Sequence, residues 1–542
     1  MASSAAAQLQ SSLSFQLSEL RVLKLGSASQ SKAGGRSSCA RGRPRNPSTA
    51  GKYLPPQATE TSSRLASSTV ELPPQEIPGS YGPPFIGLAV DKLNYFVVQG
   101  RDEFFLSLMQ RYKSTVIRVN MPPGPPLFPD SRTIMLLDQK SIRVLFDTSK
   151  VEKKDVFAGT YMPSTDFTGG FRVLPYLDPS EPKHAPLKDF CFKILQSNGR
   201  KFLPEFHTAF DEGASEWDAQ LDAKGEAEFT SVCQNFTLSF LCRAILDADP
   251  SAPGSASLRD EGPSLIQAWI AAQLAPQASL GLPKPVEALL HTIPLPFSLV
   301  SNQYNKVYQF FYTNGHHLLD IAEQEFGLDR AEACHNLLFF VCFNTWGGLQ
   351  LFLPAIFQRI ASAGVSFQKE LAQEVRSAVG EGDEVTMKAL QSMKLVHSTV
   401  YEVLRMDPPV PFQYGRAKDD MIVESHDAAY KVRKGELLGC YQKIAMRDPK
   451  VFEAPQTFKP KRFMGAEGER LLQNVTWSNG PETEEPTLSN KQCAGKDFVN
   501  LMARLLIAEI YLRYDFFKLG KVEQHGARSS FGFKVLKRRR DV

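Results

Sequence analysis

Asn490-Lys491-Gln492-Cys493-Ala494-Gly495-Lys496-Asp497-Phe498 is the stretch on which the reading of this 542-residue chain turns. Cys493 stands just ahead of an amphipathic helical pattern whose apolar stripe is Val499, Met502, Leu505, Leu506 and Ile510. A thiol at a helix amino end faces free backbone N–H groups and the positive end of the helix dipole, and both favour the thiolate. Lys491 and Lys496 add positive charge nearby, and Gly495 has no side chain to hold a broad planar ligand away. The alternative is a packed structural cysteine, but that predicts apolar flanks, and these are polar and basic.

Working outward, Glu402-Val403-Leu404-Arg405 places an acid and a base on one helix face, ending before Pro408 and Pro409. Such pairs are common on solvated helices, and the spacing alone does not exclude that. Asp329 and Glu332 form a capping-box-like start. The apolar run Asn336 to Gly348 follows, advancing roughly 30 Å from its cap. Asn344 is polar among apolar neighbours there, and Gly347 and Gly348 weaken the helix and leave room beside it. Spacing alone leaves Asn344 equally open to a structural reading, as a buried amide bonded to its own helix. His184 and Lys188 lie four apart on one predicted face and suit a carboxylate-bearing ligand. Without further context a solvated basic face is the better reading of that pair.

Together these segments resemble the haem-thiolate cytochrome P450 superfamily, in an altered form. Against its pattern Phe-x-x-Gly-x-Arg-x-Cys-x-Gly this chain has Pro486, Ser489, Lys491, Cys493 and Gly495. The Asn-Lys-Gln-Cys form, with Trp477-Ser478-Asn479-Gly480-Pro481 upstream, resembles the plant hydroperoxide-rearranging branch: allene oxide synthases, hydroperoxide lyases and divinyl ether synthases. The resemblance runs from about Leu72 to Phe517 and adds Pro460-Lys461-Arg462-Phe463 as third partner to the Glu402–Arg405 clamp. It implies haem b with Cys493 as axial iron ligand, and Lys153, His184, Lys188 and Lys491 at the propionates. It places Asn344 beside the hydroperoxide as a catalytic residue, with Gln350, Pro126 and Phe128 also lining the substrate site.

The implied chemistry is dehydration of a polyunsaturated fatty-acid hydroperoxide to an allene oxide, as in oxylipin and jasmonate synthesis. The O–O bond breaks homolytically, the oxygen radical closes onto the neighbouring double bond, and loss of an electron and a proton gives the product. Neither dioxygen nor a reductase is needed. The acid–threonine pair expected of an oxygen-activating relative is missing around Asn344. The chain departs from its subtype in places: Pro126 takes an expected aromatic position with Phe128 two residues on, Gln350 replaces a usual Lys, and Ser489 a usual Gly. The rivals are a hydroperoxide lyase or divinyl ether synthase, a reductase-dependent monooxygenase, and a non-catalytic haem-bearing protein of a lipid surface.

The predicted fold is mainly α with small β-sheets, a single large P450 domain over residues 71–542. Helical periodicity covers Phe104 to Tyr112, Phe190 to Leu195, Leu318 to Phe326 and Leu501 to Tyr514. Thr115 to Val119, Ile134 to Leu137 and Leu437 to Tyr441 read as strands, the Pro-rich Leu72 to Ser80 as a rigid lead-in, and Pro250 to Ser257 as a surface loop. Residues 1–70 are Ser/Ala-rich and basic, and Glu19 is the only acid before Glu60, the composition of a plastid transit peptide with a disordered lead. The chain is therefore expected in the chloroplast, with peripheral contact to a plastid membrane. A net charge of +4 does not argue for nucleic acid, and the basic tail Lys537 to Arg540 reads as a solvated end. Eight scattered cysteines without a CxxC pair suggest reduced thiols. No run of about 20 nearly unbroken apolar residues suggests a membrane span.

Overall fold

The computed structural model describes residues 72–252, 257–382, 384–526 and 528–539. The transit-peptide reading and residues 253–256 of the Pro250 to Ser257 loop fall outside them. The expected helices form and begin earlier than predicted: Arg101–Tyr112, His184–Asn198, His316–Phe326 and Lys496–Arg513, the last giving way to a strand at Tyr514. The expected strands are Val116–Asn120, Arg132–Leu136 and Leu437–Tyr441. The Pro-rich lead-in is more than a rigid spacer, because Pro74–Gln75 pairs in parallel with Ala429–Val432.

A mainly α body thus carries small sheets at its margins. The largest has five strands in the order Val116–Asn120, Arg132–Leu136, Leu437–Tyr441, Phe412–Ala417 and Val151–Glu152. Its last strand, Val151–Glu152, delivers Lys153 inward. Tyr514–Leu519, Gly532–Arg538 and Ala227–Glu228 form another sheet. Lys537, Arg538 and Arg539 are exposed, as a solvated end would be, and Arg538 also pairs with Asp218 at 2.9 Å and Asp222 at 3.0 Å.

The core is organised around one long helix. Glu332 N–H donates to Asp329 Oδ1 at 3.0 Å, the expected cap, and the helix starts at Arg330. Arg330–Val379 is long and apolar enough to cross a membrane, but 72% of its apolar window is buried inside the protein, so internal packing accounts for its apolarity. Between Phe339 and Trp346 the backbone widens into a π-helix, and at Gly364, with φ 87°, it kinks. Against the carboxyl half of this helix pack Lys394–Met406 and the cysteine helix Lys496–Arg513.

The Glu402 clamp holds that packing together. Arg405 grips Glu402 through two bonds of 2.8 Å, and Arg462 Nε reaches the same carboxylate at 2.9 Å. Arg405 also donates to the Met446 and Pro455 carbonyls at 3.0 and 2.9 Å. Glu402 and Arg405 are wholly buried, so removing either would strand a charge, typically at a cost of about 3–5 kcal/mol.

Candidate haem and active site

The cysteine loop is fastened at several points before its helix begins. Lys188 Nζ donates to the Asn490 carbonyl at 2.6 Å and to its side-chain oxygen at 3.0 Å. Gln492 Nε2 donates to the Pro481 carbonyl at 2.6 Å, and Gly480 admits that side chain, since a Cβ there would lie 2.8 Å from Gln492. Cys493 precedes the helix as expected, and its surface stays partly accessible. A Cβ on Gly495 would meet nothing nearer than the Cys493 sulfur at 4.0 Å, so a broad face is left open there.

The electrostatics correct one expectation. Lys491 and Lys496 do not aim at the sulfur. Lys491 Nζ donates to the Leu174 and Leu177 carbonyls at 3.0 and 2.8 Å, and Lys496 Nζ to those of Glu482 and Glu484 at 2.9 and 3.0 Å. Burial pushes the Cys493 thiol up in the ligand-free chain, while the Gly495 amide and Lys188 pull it down. Backbone carbonyls outcompete the sulfur for the flanking ammonium groups. A metal ion bound at Cys493 would supply the missing stabilisation, since coordination favours the thiolate.

The four predicted propionate contacts do come together. Lys153 is buried, with Nζ donating to the Tyr414 carbonyl and to Asn479 Oδ1, both at 2.7 Å. His184 and Lys188 are buried on one face of His184–Asn198, and His184 Nδ1 donates to the Leu488 carbonyl at 3.1 Å. All four are depressed as cations, first by burial. Lys153 falls to about 7, with Lys491 adding to the effect. Lys491 falls to about 7, with Lys188 adding. Lys188 falls to about 8, and His184 to about 4 with help from Lys491 and Lys188. Among the described residues none of the four forms an ion pair with a carboxylate. A dehydrated cationic cluster held only by carbonyl and amide oxygens fits a ligand bearing carboxylates.

On the long helix Asn344 is exposed while Cys342, Thr345 and Trp346 around it are buried. Exposure in mid-core means that Asn344 faces an internal space. The π-helical turn makes this possible by displacing the backbone locally, as such turns often do at functional sites. Thr345 cannot serve as a proton donor to that space, because its hydroxyl donates to the Phe340 carbonyl at 2.8 Å. A Cβ on Gly348 would meet nothing within 4 Å, which agrees with the predicted room beside the helix. The carboxylate-seeking cluster, the accessible thiol and the amide facing a void together fit haem.

Gln350 is buried, and among the described residues its Nε2 has no hydrogen-bond partner. Pro126 is exposed and Phe128 is buried. Phe128 meets Tyr161 edge to face at 5.2 Å, and Phe157 packs on this pair. Phe157 in turn lies 5.6 Å from Phe343, the neighbour of Asn344. Sequence reasoning missed Asn479, Phe157 and Tyr161. Asn479 carried a visible signal, a polar residue inside the Trp477 to Pro481 motif. The two aromatics carried none.

The Cytochrome P450 family profile matches residues 366–538. Allene oxide synthase 1, chloroplastic, of Solanum lycopersicum is 48% identical, over 86% of this chain and 87% of its own. The chloroplastic allene oxide synthase of Linum usitatissimum is 50% identical over 84% of each chain. The chain belongs to the allene oxide synthase family of cytochromes P450. A divinyl ether synthase of Selaginella moellendorffii is 45% identical over 82% of this chain and 92% of its own. The protein is accordingly a haem enzyme of the lyase class and is chloroplastic.

Proposed function

We propose that this enzyme dehydrates a polyunsaturated fatty-acid hydroperoxide to an allene oxide, with Cys493 as the iron ligand and Asn344 as the group that holds the peroxide. The observation that carries the reading is Asn344 itself, an amide facing an internal void from a π-helical turn whose threonine is already engaged. Haem bound through Cys493 supplies one-electron cleavage of an O–O bond.

The chain's own residues do the rest. Asn344 offers a donor and an acceptor to the two peroxide oxygens but has no proton to give up at neutral pH. The route that delivers protons in oxygen activation is thus closed, which favours rearrangement of a peroxide already made. Phe343, Phe157 and the Phe128–Tyr161 pair present apolar walls that exclude water from the carbon radical. Lys153, His184, Lys188 and Lys491 hold the propionates, and Gln350 offers an unspent donor to substrate.

Peripheral contact with a plastid membrane is part of the same reading. Phe85, Ile86, Val90, Leu93 and Val98 are 66%, 63%, 51%, 53% and 64% exposed along Ile86–Leu93 and the turns beside it. Ile293 and Leu127 extend this surface, since Lys92 Nζ donates to the His291 carbonyl at 2.7 Å and Leu88 packs at Gly124. An apolar patch of this kind suits a lipid face through which an acyl substrate would enter.

Product analysis with a linolenic acid hydroperoxide, without reductant or nicotinamide, tests the function. An α-ketol, the water-trapped form of the allene oxide, is the expected product. Aldehydes, a divinyl ether, or dependence on a reductase would each assign one of the rivals instead.

A further inference from the structure

Arg528 lies deep among protein atoms yet keeps part of its surface accessible, as Cys493 and Lys491 do. A side chain with both properties sits in a recess, packed among protein atoms with one side left open. No carboxylate pairs with Arg528 among the described residues, and dehydration alone lowers its guanidinium to about 10. An unpaired, dehydrated guanidinium is costly, and it is stabilised when an anion arrives.

Its position is built by three contacts. Arg528–Ser530 pairs antiparallel with Glu523–His525, setting Arg528 opposite His525 at the turn. Ser529 Oγ accepts from Gln358 Nε2 on the long helix at 2.5 Å. The turn presses on the segment Ser279 to Gly281: a Cβ on Gly526 would lie 1.8 Å from the Ser279 carbonyl oxygen. That segment begins two residues after Gln277, whose side chain bonds the Ala158 carbonyl and reaches the Pro122 carbonyl at 3.5 Å. The hairpin therefore touches the helix that bears Asn344 on one side and, on the other, the segment that follows Gln277.

We propose that Arg528 is the carboxylate subsite of this enzyme, where the acid end of the acyl substrate is held while its hydroperoxide lies at Asn344. This rests on the hydroperoxide reading above. Gln358 follows Asn344 by fourteen residues, about 21 Å along the helix. A side chain directed back along the helix would shorten that span, and an extended acyl chain of a dozen C–C bonds covers about 15 Å.

The test compares the free hydroperoxy acid with its methyl ester in haem-loaded wild type, Arg528→Gln and Arg528→Lys. Calorimetric binding of the unreactive hydroxy acid and its ester is measured in parallel. In Arg528→Gln the acid-to-ester ratio of kcat/KM is expected to fall about tenfold or more, chiefly through KM, with the same fall in the binding ratio. Arg528→Lys should recover part of both. Equal ratios in wild type and Arg528→Gln, by turnover and by binding, would overturn the subsite. Wild type that turns over no hydroperoxide, while Arg528 still governs the binding ratio, would sink the rearrangement reading and leave the subsite standing. A loss of fold without a change in either ratio assigns Arg528 a structural role and overturns the proposal.

Discussion

The Lys153 ammonium donates to the Asn479 amide oxygen at 2.7 Å, tying the last strand of the five-stranded sheet to the turn ahead of the cysteine loop. Gly415 makes room for it, since a Cβ there would stand 3.4 Å from the Lys153 nitrogen. Burial has a titration consequence. The lysine is held near 7 in the folded chain against 10.5 in its ordinary state. Between those values the unfolded chain binds more protons, so stability rises with pH, by at most about 1.4 kcal/mol per unit for this one group. Urea unfolding of the haem-free protein at pH 7 and 9 should show this rise. In Lys153→Met the contribution should disappear, and identical slopes would rule it out.

Cys493→Ser should abolish the thiolate-type haem spectrum and all turnover. A serine hydroxyl is a far poorer donor to iron, and the haem site, although intact elsewhere, would lack its axial ligand. Retained hydroperoxide turnover in this variant would contradict the haem assignment.

Asn344→Ala should keep haem, because Cys493 and the residues proposed to hold the propionates lie on other elements. Rearrangement should fall about 100-fold, the usual scale for losing one donor aimed at developing charge. Haem is scored by its absorbance and rearrangement by loss of the conjugated diene. Unchanged turnover would return Asn344 to a structural role.

Product choice should follow the aromatic contact from Phe128 through Phe157 to Phe343. Phe128→Ala should move products from allene oxide towards aldehydes and, as a buried ring, cost stability of about 3–5 kcal/mol. Phe157→Ala should move them further, because Phe157 touches Phe343 directly. Pro126→Phe should sharpen the allene oxide product. Chromatographic product ratios decide it, and constant ratios across all three variants would remove the loop from product control.

A fluorescent fusion of residues 1–80 should enter plastids, since the acid-poor, hydroxyl-rich composition carries the address. Cytosolic or purely mitochondrial fluorescence in leaf cells would refute that reading.

The Cys493 loop, the Glu402–Arg405 pair and the Asp329 cap were legible in the sequence because each is local. A helix fixes which residues share a face within a few positions, so spacing puts each pair together, and the family resemblance with its Arg462 motif separated the clamp from an ordinary solvated pair. The helix containing Asn344 was legible for the same reason, but its π-helical turn was not. Periodicity records which residues are apolar and does not record one extra residue per turn.

What the sequence determined by itself was therefore the family, the haem thiolate and the class of chemistry. Tertiary structure alone decided where the long-range partners meet. Lys153 finds Asn479, Lys491 turns from the sulfur to carbonyls near Leu174, Phe128 packs on Tyr161 instead of standing free, and Arg528 is left without a counter-charge among the described residues. Such pairings depend on chain closure over tens to hundreds of residues and on which buried polar groups remain unsatisfied once the core has packed. Neither quantity is written in local spacing.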